Sequence, residues 1–229
     1  MRTGFANTTN VQAFERAMGR LLKRPAGVPG MALVYGDPGL GKTRTALWWC
    51  AKNDGVFLRT KKLMTGRWLL EELVSELGEA PMWRTSDLFR QCMDQLLNRP
   101  RPVFIDEADY LTRDSRVLET LRDLHDMTEA SIILIGMDQA DKKLRRYRHL
   151  YDRFSEVVRF HELTERDIHL IASQLCEVQL SEEVVRYVYQ KTNRFRGIIR
   201  HLHRIETMAR RNNLRKVTME DIKGGSDDE

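Results

Sequence analysis

The sequence has few of the features that mark several common protein classes. Its three cysteines, Cys50, Cys92 and Cys176, lie far apart with no paired spacing, which argues for free thiols rather than a disulfide framework. No apolar run approaches the ~20 residues that a membrane-crossing helix needs. Met1-Arg2-Thr3-Gly4-Phe5 is not followed by the apolar core of a signal peptide, so a cytoplasmic protein is expected. No internal repeat is present. His201 and His203 stand two apart in a stretch that reads as helix; they point to different faces and make a poor metal pair.

What is present describes a polar, globular chain. Of its 229 residues, 41% are hydrophobic and 31% charged, with a formal charge of +5. That length holds one α/β nucleotide domain plus a small appendage. The basic balance leans towards a polyanionic partner, although the distribution of the charge carries more information than its sum.

The most informative stretch is Gly36-Asp37-Pro38-Gly39-Leu40-Gly41-Lys42-Thr43, which fits the phosphate-binding loop pattern. A short apolar run, Met31 to Tyr35, precedes it and reads as a buried strand; Arg44 to Ala51 follows and reads as a helix. In that context glycines let backbone N–H groups close around phosphate oxygens, and the helix N-terminus adds partial positive charge. Lys42 is expected to reach the outer phosphates, the Thr43 hydroxyl to ligate Mg2+, and Arg44 to lie in the same nucleotide site. A nucleoside triphosphate, ATP, is the expected ligand.

Along the chain, Thr8 to Leu22 reads as an amphipathic helix, broken by Pro25, Gly27, Pro29 and Gly30. Further strands are expected at 55–60, 102–109 (apolar and ending in acids), 131–136 and 157–160, with helices at 68–77, 86–97 and 114–127 between them. Strands alternating with helices predict an α/β fold with a five-stranded parallel sheet. From Thr164 onward the strand signals stop. Helices fit 165–176, 181–191, 197–212 and 218–222, a small C-terminal helical lid. The expected organisation is an N-terminal helix and linker over 1–30, a nucleotide-binding core over 31–163, the lid over 164–223 and a disordered polar tail over 224–229.

Asp106 and Glu107 end an apolar strand, the place where ligands of α/β sheets bind. Asp106 suits the hold on Mg2+ and Glu107 the base that polarises an attacking water. Asp106-Glu107-Ala108-Asp109 also spells the motif of the DEAD-box helicases. Those enzymes use two recombinase-like domains, and this chain has one, so a helicase motor is not expected.

With its phosphate loop, the acid-ended strand Val103 to Asp109, the strand Leu134-Ile135-Gly136, the helix end Ser75-Glu76-Leu77-Gly78 and a compact lid, the chain resembles the AAA+ ATPases. Within them it resembles the transposition-regulator branch, the Mu B-, TnsC- and IstB-like proteins, over about Met31 to Ile222. Several expectations rest on that resemblance alone. Asp152-Arg153-Phe154 resembles the arginine-finger box, which implies that Arg153 reaches the γ-phosphate held by a neighbouring subunit. Gly197-Ile198-Ile199-Arg200 resembles the second sensor, which implies that Arg200 acts on phosphates of its own subunit. One position departs from the pattern: where the first sensor is usually polar, Met137 stands, with Asp138 beside it. Slow hydrolysis is therefore expected.

The same resemblance implies a slow, DNA-stimulated ATPase that binds double-stranded DNA without sequence preference and assembles with itself as an ATP-dependent oligomer or helical filament. Such a protein delivers target DNA to a cognate transposase, in the cytoplasm of a bacterial or phage-infected cell. Arg59, Lys61, Lys62 and Arg67, with Arg84 and Thr85 one helix later, fall in the two regions that face DNA in the resembling proteins. The alternatives are a helicase loader or replication initiator of the same superfamily, and an ATP-dependent switch that barely hydrolyses.

Overall fold

A computed structural model describes Met1, Arg2 and residues 4–224. By contacts the chain forms two compact units. The larger comprises Phe14–Asp37 and Lys42–Phe160. The smaller comprises Met1–Ala13, the loop tip Pro38–Gly41, and the chain from His161 onward. The division falls within the first helix, α1 (Thr9–Leu22), and inside the phosphate loop.

The larger unit is a parallel sheet with helices on its faces. In chain order it contains β1 (Met31–Tyr35), α2 (Lys42–Asn53), β2 (Val56–Arg59), α3 (Gly66–Leu77), α4 (Thr85–Asn98), β3 (Val103–Asp106), a 3-10 turn (Ala108–Arg113), α5 (Ser115–Thr128), β4 (Ile132–Ile135), α6 (Asp138–Leu144), α7 (Arg148–Tyr151) and β5 (Phe154–Arg159). The strands run in the order β2-β3-β4-β1-β5, all parallel. The three central strands are covered on both faces, which is why they read as continuous apolar runs rather than alternating ones. Every residue of β3 and β4 is buried. In β5, at the edge, exposed and covered residues alternate.

The pleat sends β3 side chains to two separate packings. Val103 and Ile105 join Leu69, Leu73, Leu88, Leu96, Leu118 and Leu121 from α3, α4 and α5. Phe104, between them, meets Phe14 at 6.2 Å and Trp49 at 5.3 Å between ring centroids, so α1 and α2 supply the opposite cover. Local signals fix the helix ends. The Thr65 hydroxyl accepts from the Trp68 N–H at the start of α3, and Gly78 closes that helix with φ of 97°.

The smaller unit holds α8 (Glu165–Leu175), β6 (Gln179–Leu180), α9 (Glu182–Lys191), α10 (Phe195–Arg211), β7 (Lys216–Val217) and α11 (Met219–Gly224). Its core joins Ile168, Ile171, Leu175, Val184, Val188, Ile198, Leu202 and Val217. Here the structure corrects the sequence expectation: strands do not stop at Thr164. β6 and β7 pair in parallel, with Gln179 opposite Lys216 and Leu180 opposite Val217. Two-residue strands are too short to show a period. Gly224, placed in the tail by its composition, ends α11; the rest of that tail, 225–229, lies outside the described residues.

Candidate nucleotide site

The site begins where β1 ends. Gly36 adopts φ of 144°, and a Cβ there would lie 2.5 Å from the Phe160 carbonyl oxygen, so only glycine fits. Gly39 and Gly41, at φ of 82° and 98°, also occupy conformations open chiefly to glycine. Lys42 opens α2 and folds its ammonium back onto the loop, donating to the carbonyls of Gly36 at 2.7 Å and Asp37 at 2.8 Å. Burial lowers its pKa, against the opposing pull of Asp106, Asp109, Glu107 and Asp138. In the smaller unit, the Arg196 N–H at the start of α10 donates to the Gly39 carbonyl at 3.0 Å.

The acids arrive on the neighbouring strand ends. Asp106 is only 3% exposed. Its Oδ2 accepts from the Thr43 hydroxyl at 3.0 Å and from Arg59 Nε and Nη2 at 3.3 and 3.2 Å. Arg59 stands there because β2 pairs with β3 in a register that sets Arg59 opposite Asp106. The next residue, Thr60, laces the two strand ends together: its N–H donates to the Asp106 carbonyl at 3.0 Å and its hydroxyl to the Glu107 carbonyl at 2.7 Å. Glu107 itself holds φ of 58° and ψ of 34°, left-handed backbone uncommon for a side chain of its size. Asp109 Oδ2 accepts from the Met137 N–H at 2.8 Å. Asp138 pairs with Arg159 at 3.4 Å, while its Oδ1 is buried without a hydrogen-bond partner.

Thr43 Oγ1 and Asp106 Oδ2 are hard oxygen donors meeting at the mouth of the loop, a set that fits Mg2+. That ion keeps waters and takes one or two protein oxygens alongside substrate phosphates. Among the described residues no group of three or more His, Cys, Asp or Glu would hold a metal by itself.

Lys42, Thr43, Asp106 and Glu107 thus converge in the larger unit. Arg153 pairs side-on with Asp126, Nε to Oδ1 at 2.9 Å and Nη2 to Oδ2 at 3.1 Å. Arg200 lies on the exposed side of α10. The basic residues after β2 are less uniform than their spacing implies. Arg59 turns to Asp106; Lys61 pairs with Glu72 and sits 4.9 Å over the Trp68 ring; Arg67 pairs with Glu71 at 2.8 Å. Among the described residues Lys62 and Arg84 form no ion pair, and Thr85 opens α4 beside Arg84. Thr60 is a site residue that sequence reasoning missed. Only the β2–β3 register exposes its role, and no local pattern encodes that register.

A glycine loop between strand and helix, with a threonine hydroxyl meeting a strand-end carboxylate, defines an α/β phosphate-loop fold. The chain belongs to the AAA domain family, whose model matches residues 26–144. It is 28% identical over 190 residues to the ATP-dependent target DNA activator B of Escherichia phage Mu, and 29% identical over 190 residues to that of Escherichia phage D108. Each match covers 78% of this chain and 60% of the relative, so the chain spans about 60% of the length of these curated relatives. The fold is also that of the Aeropyrum pernix ORC2 protein, with a TM-score of 0.74 at 14% identity over 100% of this chain and 70% of that one. Among the described residues no helix is long and apolar enough to cross a membrane.

Proposed function

We propose that this chain is an ATP-dependent, DNA-binding AAA ATPase that assembles on double-stranded target DNA and presents it to a transposase. The likeness to two phage proteins named ATP-dependent target DNA activator B carries the reading. The phosphate-loop geometry supports its nucleotide half. In this reading residues 31–163 act as the nucleotide core and 164–223 as the lid.

The chemistry follows from the residues. Lys42 exchanges the carbonyls of Gly36 and Asp37 for the outer phosphate oxygens, and the N-terminus of α2 adds its partial charge. Thr43 and Asp106 are the residues that would hold Mg2+, which when bound would offset negative charge on the phosphates. Glu107, fixed by Thr60 at its carbonyl, orients and polarises the attacking water. Arg153 acts on the phosphates of a neighbouring subunit and Arg200 on those of its own, as the family resemblance implies. Met137 in place of a polar first sensor makes the hydrolysis slow, and DNA stimulates it. Lys and Arg side chains beyond β2 neutralise DNA phosphates, without sequence preference.

Electron microscopy of the protein with duplex DNA in ATP, in ADP and without nucleotide tests this reading. Assemblies on DNA are expected in ATP alone. They should be lost in Lys42→Ala and last longer in Glu107→Gln. ATP-dependent assembly that ignores DNA would replace the reading with a nucleotide switch, and DNA binding indifferent to nucleotide would overturn it.

A further inference from the structure

Asp106 Oδ2 accepts from three donors at once. The Thr43 hydroxyl and two nitrogens of Arg59 all reach that one atom. We propose that Arg59 is a tethered cation that stands in for Mg2+ on Asp106 and must leave when the metal and nucleotide bind. This rests on the reading of Thr43 and Asp106 as the metal site, and adds to it a built-in competitor.

Three observations carry the proposal. The first is position: the register of β2 on β3 sets Arg59 directly opposite Asp106, and Thr60 pins the same strand end. The register therefore places the guanidinium within reach of this carboxylate. The second is charge. Asp106, Glu107, Asp109 and Asp138 all act on Lys42, so four carboxylates gather at the mouth of the loop. Lys42 and Arg59 both offset Asp106, Arg59 through a direct ion pair. The third is the looseness of that pair. Its 3.2 and 3.3 Å contacts are longer than the 2.7–2.9 Å typical of charge-assisted bonds. The Arg59 side chain is 56% exposed whereas that of Asp106 is 4% exposed. The carboxylate is fixed and the guanidinium has open water to swing into. A divalent ion held on Oδ2 beside Thr43 Oγ1 competes with Arg59 for that oxygen, so loading is an exchange of cations rather than filling of a bare site.

The test is a Mg2+ titration of the binding of a fluorescent, slowly hydrolysed ATP analogue to the whole chain, which reads occupancy and not turnover. Arg59→Gln should lower the half-saturating Mg2+ concentration roughly twofold to fivefold, the range open to a half-exposed ion pair. Arg59→Lys, which keeps the charge but loses the two-nitrogen grip, should fall between Arg59→Gln and wild type. A half-saturating concentration equal to wild type, or higher, in Arg59→Gln overturns the proposal; if that variant does not fold, an unshifted Arg59→Lys overturns it. Asp106→Asn separates the two levels of the argument. Loss of the Mg2+ dependence there upholds the metal site whatever Arg59 does, and an unchanged dependence removes the metal site and the competitor with it.

Discussion

Each of the three thiols lies where a thiolate is costly. Burial pushes Cys50 and Cys92 up to about 12 and Cys176 up to about 11, and all three are free. Since only the thiolate attacks disulfide reagents, the native protein at pH 8 should release almost no chromophore from an aromatic disulfide. Labelling should follow the unfolding curve in urea, and a thiol that reacts in the folded protein would contradict the burial. At this scale the sequence was legible wherever a residue type and a fixed spacing define the chemistry. Lys42, Thr43, Asp106 and Glu107 could be placed because a glycine loop and an acid-ended strand are local patterns. The partners of Arg59 and Arg153 could not. Arg153 meets Asp126, which is 27 residues away on α5, and nothing around either residue announces the other. Lys61 and Arg67 are expected to face DNA from their charge and from the family resemblance. Their pairing with Glu72 and Glu71 on α3 could not be read from the basic run alone.

Asp167 shows how one side chain can join two elements. Within the smaller unit its Oδ1 accepts from the Thr9 N–H at 2.7 Å and the Thr9 hydroxyl at 2.9 Å, at the start of α1. Its Oδ2 accepts from the Thr164 N–H at 3.0 Å and hydroxyl at 2.8 Å, and so completes the capping box of α8. Burial pushes the carboxyl up, but the donors from Thr9 and Thr164 outweigh it and hold it below the ordinary range. A depressed carboxylate contributes stability above its unfolded value and loses it as the pH falls through the folded one. Asp167→Asn, which turns an amide N–H towards donors, should lower stability by about 1–3 kcal/mol at neutral pH. Urea midpoints taken from pH 7 downwards should show the gap to wild type closing below about pH 4; a constant gap would mean that the charge is not what Asp167 contributes. The helices and the buried strands were legible here because long apolar periods survive in sequence. The β6–β7 pair was not, being two residues on each side and held by long-range pairing. Nor was the way residues 1–13 cluster with the helices after His161, since Thr9 and Asp167 lie 158 positions apart.

At the scale of the whole molecule, two expectations concern what the chain does with copies of itself and with DNA. If Arg153 completes a neighbour's site, it must exchange Asp126 for that neighbour's phosphate, as its bidentate grip allows. Arg153→Ala and Lys42→Ala should each be nearly inactive alone and recover part of the ATPase rate when mixed; no recovery in confirmed mixed assemblies would place each site within one subunit. For DNA, the ion pairs suggest an order among candidates that the family resemblance left equal. Lys61 and Arg67 are paired and Arg59 is turned to Asp106, whereas Lys62 and Arg84 form no ion pair among the described residues. A lysine or arginine that need not first break an ion pair gives its full charge to a phosphate. Each phosphate neutralised should contribute a slope of about 0.9 to the log–log dependence of affinity on salt. The Lys62→Ala, Arg84→Ala double variant should therefore lose close to two such contacts and weaken about equally on unrelated sequences. Lys61→Ala should lose less, because Lys61 already shares its charge with Glu72. The measurement is a salt titration of DNA binding in a slowly hydrolysed ATP analogue, with nucleotide affinity followed in parallel to show that the phosphate loop is intact. A double variant with the wild-type slope moves the DNA surface off this face, and a Lys61→Ala effect larger than the double variant's reverses the ranking drawn from the ion pairs.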